Sequence, residues 1–432
     1  MPSEILVMEG HIIDSLTLPK VLDEIIEAGA SYEIVDLQIG TRHEDQSIAR
    51  IKVTLPSDED LARLVDRVRQ HGANPETVDD VALAEADADG AFPPGFYSTT
   101  NLETEVRLNG RWIAVRHAEM DCGIAVEQGS ARTVPMSEVT KGMQIVMGGL
   151  GIRVLPPDAP RTADERRAFE FMSSHVSSEK PKALLVEQVA GQIRAVRAVG
   201  KRILWVAGPA VVHTGSGPDV CALIRAGYVQ ALFAGNGVAA HDIESNMFGT
   251  SLGVYLKEGG SAEHGHEHHI RAINEIRRHG SFKAAVDAGV FKDGIVHHLV
   301  THNVDYLFGG SVRDDGPLPE VVTDMFEVQR RLRELIWGRG GDDLVGMCLV
   351  AGTMLHGIAT GNCLPASVPL ACVDINQATV TKLMDRGSFQ SMGIITDVGL
   401  FIRELAEILA PDEVRSAAAD APTRIAGSQT RR

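Results

Sequence analysis

Cysteine is scarce in this chain, and the little there is lies scattered. Cys122, Cys221, Cys348, Cys363 and Cys372 form no C-x-x-C pair. That excludes a disulfide scaffold and a cysteine-rich zinc module, and it fits a reducing compartment. Basic residues are outnumbered: Lys plus Arg is 41 against 58 for Asp plus Glu, a formal charge of −17. A chain this acidic does not bind nucleic acid or anionic membranes non-specifically. The start, MPSEILVMEGHIIDS, has acids where a signal peptide needs bases and no long apolar core, so no export signal is expected and a cytoplasmic location is. No internal repeat is present.

One uncharged stretch invites a membrane reading. Leu344–Val373 holds no Asp, Glu, Lys or Arg over 30 residues, which is long enough for a membrane helix. Gly346, Gly352, Gly357, Gly361, Pro365 and Pro369 interrupt it, and Asp343 and Asp374 flank it. Buried parallel strands joined by a ligand-binding loop explain the same composition better.

The remaining composition is that of a globular protein, 44% hydrophobic and 23% charged over 432 residues, enough for two or three domains. Residues 1–85 alternate short strands and helices in the order βαββαβ: strands over Glu4–Ile13, Tyr32–Ile39, Ser47–Leu55 and Val78–Ala84, helices over Leu18–Ala28 and Asp58–His71. That order predicts a ferredoxin-like α+β module. A small, acidic, Pro-Pro-Gly linker follows over 86–98. Short alternating runs with turn residues such as Asn109-Gly110 predict a small β-barrel over 99–160. From 161 to 410 helices alternate with short apolar strands, which predicts βαβ units on a parallel sheet, a Rossmann-like α/β unit. Residues 411–432 lack apolar periodicity and are expected to be a disordered tail.

Chemistry concentrates in the α/β region. The strand Arg202–Ala207 runs into a glycine-rich segment, Gly208–Gly217, and Val229–Ala234 runs into Gly235-Asn236-Gly237. A glycine-rich turn between strand and helix lets a phosphate meet free backbone N–H groups, although Gly208–Gly217 is not G-x-G-x-x-G and reads equally as a plain tight turn. Further strands end at Gly352, Asp374 and Asp397. An acid at a strand end about twenty residues after such a turn takes the ribose hydroxyls of NAD and disfavours NADP; Asp374 stands 22 residues beyond Gly352. The competing reading makes Asp374 the cap of the following helix. Four histidines (His264, His266, His268, His269) fall within six residues. They read as a metal site, as part of a substrate-binding helix start, or as a solvated loop, and no Cys or Asp cluster supports the metal.

The segments FMSSHVSSEKPK, AGPAVVHTGSGPDV, FAGNGVAAHDIE, RAINEIRRHGS, AGTMLHGIATGN, CVDINQ and ITDVG, with this order of modules, resemble the archaeal-type ornithine cyclodeaminase family, also labelled LOR/SDH conserved proteins. The same unit forms the C-terminal part of the cyanobacterial arginine dihydrolase/ornithine cyclodeaminase. The resemblance implies NAD as cofactor, contacted by Asn236, Gly237, Asp315, Thr353, Met354, Leu355, His356, Asp374, Asp397 and Val398. Family members carry Ala at Gly237 and Ser at Thr353, both small exchanges. The implied reaction turns L-ornithine into L-proline and ammonia, linking arginine catabolism to proline biosynthesis. It is redox-neutral: hydride leaves the α-carbon for NAD, the δ-amine closes onto the imine, ammonia leaves, and the hydride returns. Such chemistry wants an acid/base near neutrality, for which His213, His241 and His356 are candidates. Asp242 and Glu244 are candidates to hold the substrate amine, and Lys180 or Arg313 its carboxylate. No metal is expected, since the reaction needs no Lewis acid, and assembly into a homo-oligomer is. Another NAD-dependent amine enzyme (a dehydrogenase or spermidine-type transferase) and a non-catalytic NAD-bound amino-acid sensor are the alternatives.

Overall fold

The structure is a computed structural model that describes the chain apart from residues 14–16, 41–44, 70, 77–78, 156–181, 257–259, 261, 263, 313–316, 386–390 and 420–432. Two compact units are formed. One takes the N-terminal part of the chain and, from much later, Ile358–Leu370 and Lys382–Gly393; the other is the α/β unit.

The first unit opens with a four-stranded sheet of order β2-β3-β1-β4, built from β1 (Ser3–Gly10), β2 (Ser31–Gln38), β3 (Ser47–Thr54) and β4 (Asn74–Pro75). Helices Thr17–Glu27 and Asp58–Arg69 place apolar residues three and four apart, so Val21, Ile25, Leu64 and Val68 share a core with Leu6, Met8, Ile51 and Val53. The expected last strand at Val78–Ala84 is not in this sheet. The fourth position is filled by Asn74–Pro75, while Ala82–Glu85 (β5) pairs with a later strand (β10) in the second sheet. Asn74 has a second tie, exchanging hydrogen bonds with the Val154 backbone at 3.1 and 3.2 Å.

That second sheet has seven strands, β11-β6-β7-β9-β8-β10-β5, adding β6 (Thr104–Leu108), β7 (Arg111–Arg116), β8 (Gly123–Glu127), β9 (Ser130–Val134), β10 (Gln144–Met147) and β11 (Ile152–Val154). Asn109 and Gly110 both have positive φ (51° and 75°), the two-residue turn that an Asn-Gly pair favours between twisted strands. The sheet curls: just ahead of β5, the Val81 amide donates to Arg107 in β6 at 2.9 Å. Val106, Val115, Ile124, Val146 and Ile152 fill its inside. Ala366 and Asn362 join this unit through backbone bonds with Asn101 (2.7 Å) and Met120 (3.1 Å).

The α/β unit carries a sheet of order β17-β16-β13-β12-β18-β19-β20. Its strands are β12 (Ile203–Ala207), β13 (Ala231–Gly235), β16 (Asp305–Gly309), β17 (Val321–Val322), β18 (Met347–Ala351), β19 (Leu370–Asp374) and β20 (Ser391–Ile395); β14 (Thr250–Ser251) and β15 (Val254–Tyr255) form a separate hairpin. Every pairing from β17 to β18 is parallel. β12, β18 and β19 are buried along their whole length, which accounts for the uncharged run Leu344–Val373. Among the described residues no helix is long and apolar enough to cross a membrane. All five cysteines are free and buried.

Two expectations are corrected here. Gly208–Gly217 is not all loop: Ala210–His213 forms a short helix, and Gly217–Arg225 a second with Pro218 in its first turn. The tail is not disordered from residue 411 onward. Pro411–Ala419 is helical, with Asp412 and Glu413 favourably placed in its first turn, and Glu413 pairs with Arg225 at 2.7 Å. Residues 420–432 lie outside the described residues.

Candidate active site

The chain builds β12, β13, β16 and β17 in one direction, then returns to lay β18, β19 and β20 on the other side of β12. The reversal between β12 and β18 opens a crevice at the carboxyl ends of those strands, where ligands of open α/β sheets sit. Gly208 and Gly352 face each other there. A Cβ on Gly208 would lie 1.8 Å from the Gly352 carbonyl oxygen, and Gly352 itself has φ +64°. The ladder continues past the strand ends through Gly208 N to Ala351 O (2.8 Å) and Gly352 N to Val373 O (3.0 Å).

Around this crevice stand most of the residues singled out as cofactor contacts. Asp374 ends β19 and is nearly buried. One of its oxygens accepts from the Asn376 amide at 2.7 Å. The cap of helix Gln377–Asp385 is Asn376, whose side chain accepts from Ala378 N at 3.0 Å. Capping therefore does not account for Asp374, and its second oxygen has no hydrogen-bond partner among the described residues. Asp397 caps helix Val398–Leu409 through Leu400 N at 2.8 Å, and Val398 packs on Gly352, about where a Cβ there would touch it at 3.5 Å. Gly235 ends β13 and is the extended N-cap of helix Asn236–Phe248. Asn236 uses its side-chain oxygen on Leu318 N (3.1 Å), while a Cβ on Gly237 would meet Pro209 at an ordinary 3.6 Å. Gly235-Asn236-Gly237-Val238-Ala239-Ala240 also fits the G-x-G-x-x-A form of the phosphate-binding turn, a signal that the reading of Gly208–Gly217 passed over. Thr353 and Met354 follow Gly352, and Leu355 and His356 open the next helix. His356 is half-buried, edge-on to Phe233 at 4.7 Å, and desolvation pulls its pKa below the ordinary imidazole value. Asp315, Lys180 and Arg313 lie outside the described residues.

A second group gathers around helix Asn236–Phe248. The buried Glu244 carboxylate sits 2.9 Å from His241 Nδ1. It also accepts from Thr250 Oγ1 (2.9 Å), Leu252 N (3.2 Å) and Gly253 N (3.0 Å). Burial pushes its pKa up, but these hydrogen bonds, His241's foremost, win and hold it below the usual carboxylate range. The His213 and His241 rings are 4.8 Å apart, and His213 Nδ1 contacts Ser251 Oγ at 2.7 Å. Burial, then the neighbouring His241, lower the His213 pKa, with Glu244 opposing. His269 lies 6.2 Å from His241; burial chiefly lowers its pKa too, against Glu244.

Three of the five catalytic candidates (His213, His241, Glu244) are thus in one cluster. Asp242 is turned elsewhere, accepting from Ile295 N (2.9 Å) and Val296 N (2.8 Å) at the start of helix Ile295–Thr301. The histidine run splits: His264 and His266 are exposed, His268 Nδ1 meets Thr250 Oγ1 at 2.8 Å, and His269 faces His241. The grouping with metal-ligand spacing among the described residues is a different one, Cys221, Asp293 and His298. Its His298 Nε2 is already engaged by Asp293 (2.9 Å) and Arg225 (3.3 Å). The hairpin residues Thr250 and Ser251 carried no signal in the sequence beyond a Gly-containing turn after a helix stop.

Parallel strands, the crevice at their reversal and the glycines that line it define the later half of the chain as a Rossmann-type unit. Comparison with known proteins agrees. The family model described as arginine dihydrolase ArgZ-like, C-terminal, Rossmann fold matches residues 187–405; the ArgZ-like C-terminal first region matches 103–186 and the LOR/SDH bifunctional enzyme conserved region 3–102. Proteins named ornithine cyclodeaminase are similar over nearly their full length: that of Methanocaldococcus jannaschii is 46% identical (93% of this chain, 95% of the relative) and that of Methanopyrus kandleri 47% (94% and 97%). The chain belongs to the ornithine cyclodeaminase family. Among solved structures, a LOR/SDH protein from Methanococcus maripaludis S2 is 40% identical with a TM-score of 0.70, covering 77% of this chain and 97% of that one. The ternary complex of AgrE with ornithine and NAD+ is 39% identical with a TM-score of 0.51, covering 94% of this chain and 57% of that one.

Proposed function

We propose that this protein is an ornithine cyclodeaminase that converts L-ornithine to L-proline and ammonia with NAD as a recycled partner. The observation that carries the reading is the near full-length similarity to proteins of that name, supported by a relative solved with ornithine and NAD+. The chain's own residues fit the cofactor. Gly208 and Gly352 let the two strand ends approach backbone to backbone, closer than any side chain there would allow, the Gly235–Ala240 turn offers helix N-terminal amides, and Asp374 keeps a carboxylate oxygen for ribose hydroxyls. Thr353, Met354, Leu355, His356, Asp397, Val398, Asn236 and Gly237 complete the set, with Asp315 as the further contact that the family resemblance implies. When bound, NAD takes a hydride from the substrate α-carbon and later returns it.

The protein then has proton work to do. The substrate amine must lose a proton before it can form an imine or attack one, and the departing nitrogen must gain one. His241 suits this. An ionised Glu244 only accepts hydrogen bonds, so His241 Nδ1 carries the hydrogen and Nε2 is the basic atom. The buried carboxylate then stabilises the imidazolium that forms. His213, held neutral by burial, is the second ring at the same place. Lys180 and Arg313 are proposed partners of the substrate carboxylate. Mass spectrometry of ornithine incubated with the protein and NAD tests the reading: proline and ammonia should appear in equal amounts. Oxo-acid with stoichiometric reduced cofactor would indicate a dehydrogenase, and no turnover would favour a sensor.

A further inference from the structure

The hairpin after helix Asn236–Phe248 is tied to the histidine cluster through Thr250 and Ser251. Gly249 stops the helix in the left-handed region (φ +72°). Thr250–Ser251 and Val254–Tyr255 then pair around Leu252-Gly253, both with positive φ (53° and 73°), a two-residue turn of the kind that needs left-handed residues at both central positions. A leucine held there is unusual. The turn is locked from outside: a Cβ on Gly253 would lie 2.5 Å from the Gly265 carbonyl carbon, and Ala262 N donates to Gly253 O at 2.9 Å.

We propose that the Thr250–Gly253 hairpin is a positioning device for proton transfer, in which Thr250 with the Leu252 and Gly253 amides aims Glu244 at His241 while Ser251 sets the ring of His213. The inference rests on the reading of His213, His241 and Glu244 as the proton-transfer group. The hydrogen-bond arithmetic fixes more than distances. The Thr250 hydroxyl has one hydrogen and gives it to Glu244, so at its 2.8 Å contact with His268 the imidazole must be the donor. His268 is therefore held as the Nδ1–H tautomer and stacks on Phe248 at 4.7 Å. The two reacting rings receive unlike anchors: a carboxylate for His241 and a hydroxyl for His213. Unlike environments are how neighbouring titratable groups take separate acid and base roles. The charged or titratable groups facing the pair are Glu244 and His269, with His266 acting on His269 and His268 linked to Glu244 through Thr250.

The test uses the full-length protein with ¹⁵N-labelled histidine, comparing wild type with Thr250→Val, Thr250→Ser and Ser251→Ala. Ring signals are assigned with His213→Gln, His241→Gln and His268→Gln. In the wild type His241 and His268 should show the Nδ1–H tautomer. Thr250→Val should release the His268 tautomer, shift the pH midpoint of kcat and lower kcat about tenfold with KM within twofold, and Thr250→Ser should restore all three. Ser251→Ala should move the His213 titration and leave His268 as it was. Unchanged ring signals and an unchanged pH profile in both Thr250→Val and Ser251→Ala would overturn the proposal. If the wild type gave no proline from ornithine, the functional reading would fall on its own; the ring tautomers, measured in the same samples, would still decide whether the hairpin sets them.

Discussion

Asp242, within one helix turn of Glu244, is bonded to helix amides and not to a histidine, and its removal can be worked through. Its two oxygens accept from Ile295 N and Val296 N at 2.9 and 2.8 Å, the first two amides of helix Ile295–Thr301, and both residues are 1% exposed. Asp242→Ala leaves two buried amides without acceptors. At about 1–3 kcal/mol each, less any partial relief by water, the cost is about 2–5 kcal/mol. Asp242→Asn keeps one acceptor and turns an N–H toward the other donor, so it should cost about half as much. The charge adds a pH signature. Burial raises the Asp242 carboxyl to about 6 from 3.8, against the pull of the two amides. A carboxyl whose pKa is raised on folding stabilises the native state fully below its unfolded value and loses that contribution as pH rises through the folded value. The stability advantage of wild type over Asp242→Asn should therefore shrink by about 2.4 kcal/mol between pH 4 and pH 7. Urea unfolding of both proteins across that range measures it, with kcat on ornithine taken at 20 °C from the folded fraction. A variant as stable as wild type but without turnover would refute the argument and return Asp242 to the reaction centre, and a stability difference that grew with pH would refute the assigned charge state.

Asp374→Ala should weaken NAD binding by about 1–3 kcal/mol, the worth of a hydrogen bond to a charged group, and calorimetry of the wild type should show NAD preferred to NADP; equal affinities would remove Asp374 from the ribose. Deuterium on the ornithine α-carbon should be largely retained in proline, since the same hydride returns, and complete washout to solvent would contradict the hydride shuttle. Gly237→Ala should change the melting temperature little, because its Cβ meets Pro209 at 3.6 Å, whereas Gly208→Ala should destabilise the α/β unit strongly, with the Gly352 carbonyl 1.8 Å from the new carbon; thermal melts of the two variants decide. Exhaustive chelation should leave ornithine turnover intact, and activity restored only by added zinc or nickel would require a different mechanism.

The parallel sheet was legible because β12, β18 and β19 are buried on both faces and so read as continuous apolar runs that stop at Gly or Asp. The small elements were not. A two-residue strand such as Asn74–Pro75 has no period to detect, and Ala82–Glu85 looks the same in sequence whichever sheet it joins. The helix Pro411–Ala419 is rich in alanine and carries no apolar stripe, so composition pointed to a tail. What orders it is a partner nearly 190 positions away, the Arg225 guanidinium on Glu413.

The site divides along the same line. The placement of Gly208, Gly352 and Asp374 at strand ends was readable, since the apolar runs stop there and the spacing from Gly352 to Asp374 is a property of the sequence. The roles of acids inside one helix were not readable. Asp242, two residues before Glu244, must leave the helix surface in a different direction at 100° per residue. Which of the two meets a histidine depends on what the fold brings to each side: Ile295, 53 residues on, to Asp242, and the Thr250–Gly253 turn to Glu244. A sequence gives the type of each group and its angular position, and the packing of distant backbone decides which carboxylate is spent on amides and which is left to orient an imidazole. The four-histidine run divides for the same reason. His264 and His266 precede the helix and remain in solvent, while His268 and His269 begin it and point toward Thr250 and His241, so one run serves two environments and gathers no metal-binding set among the described residues.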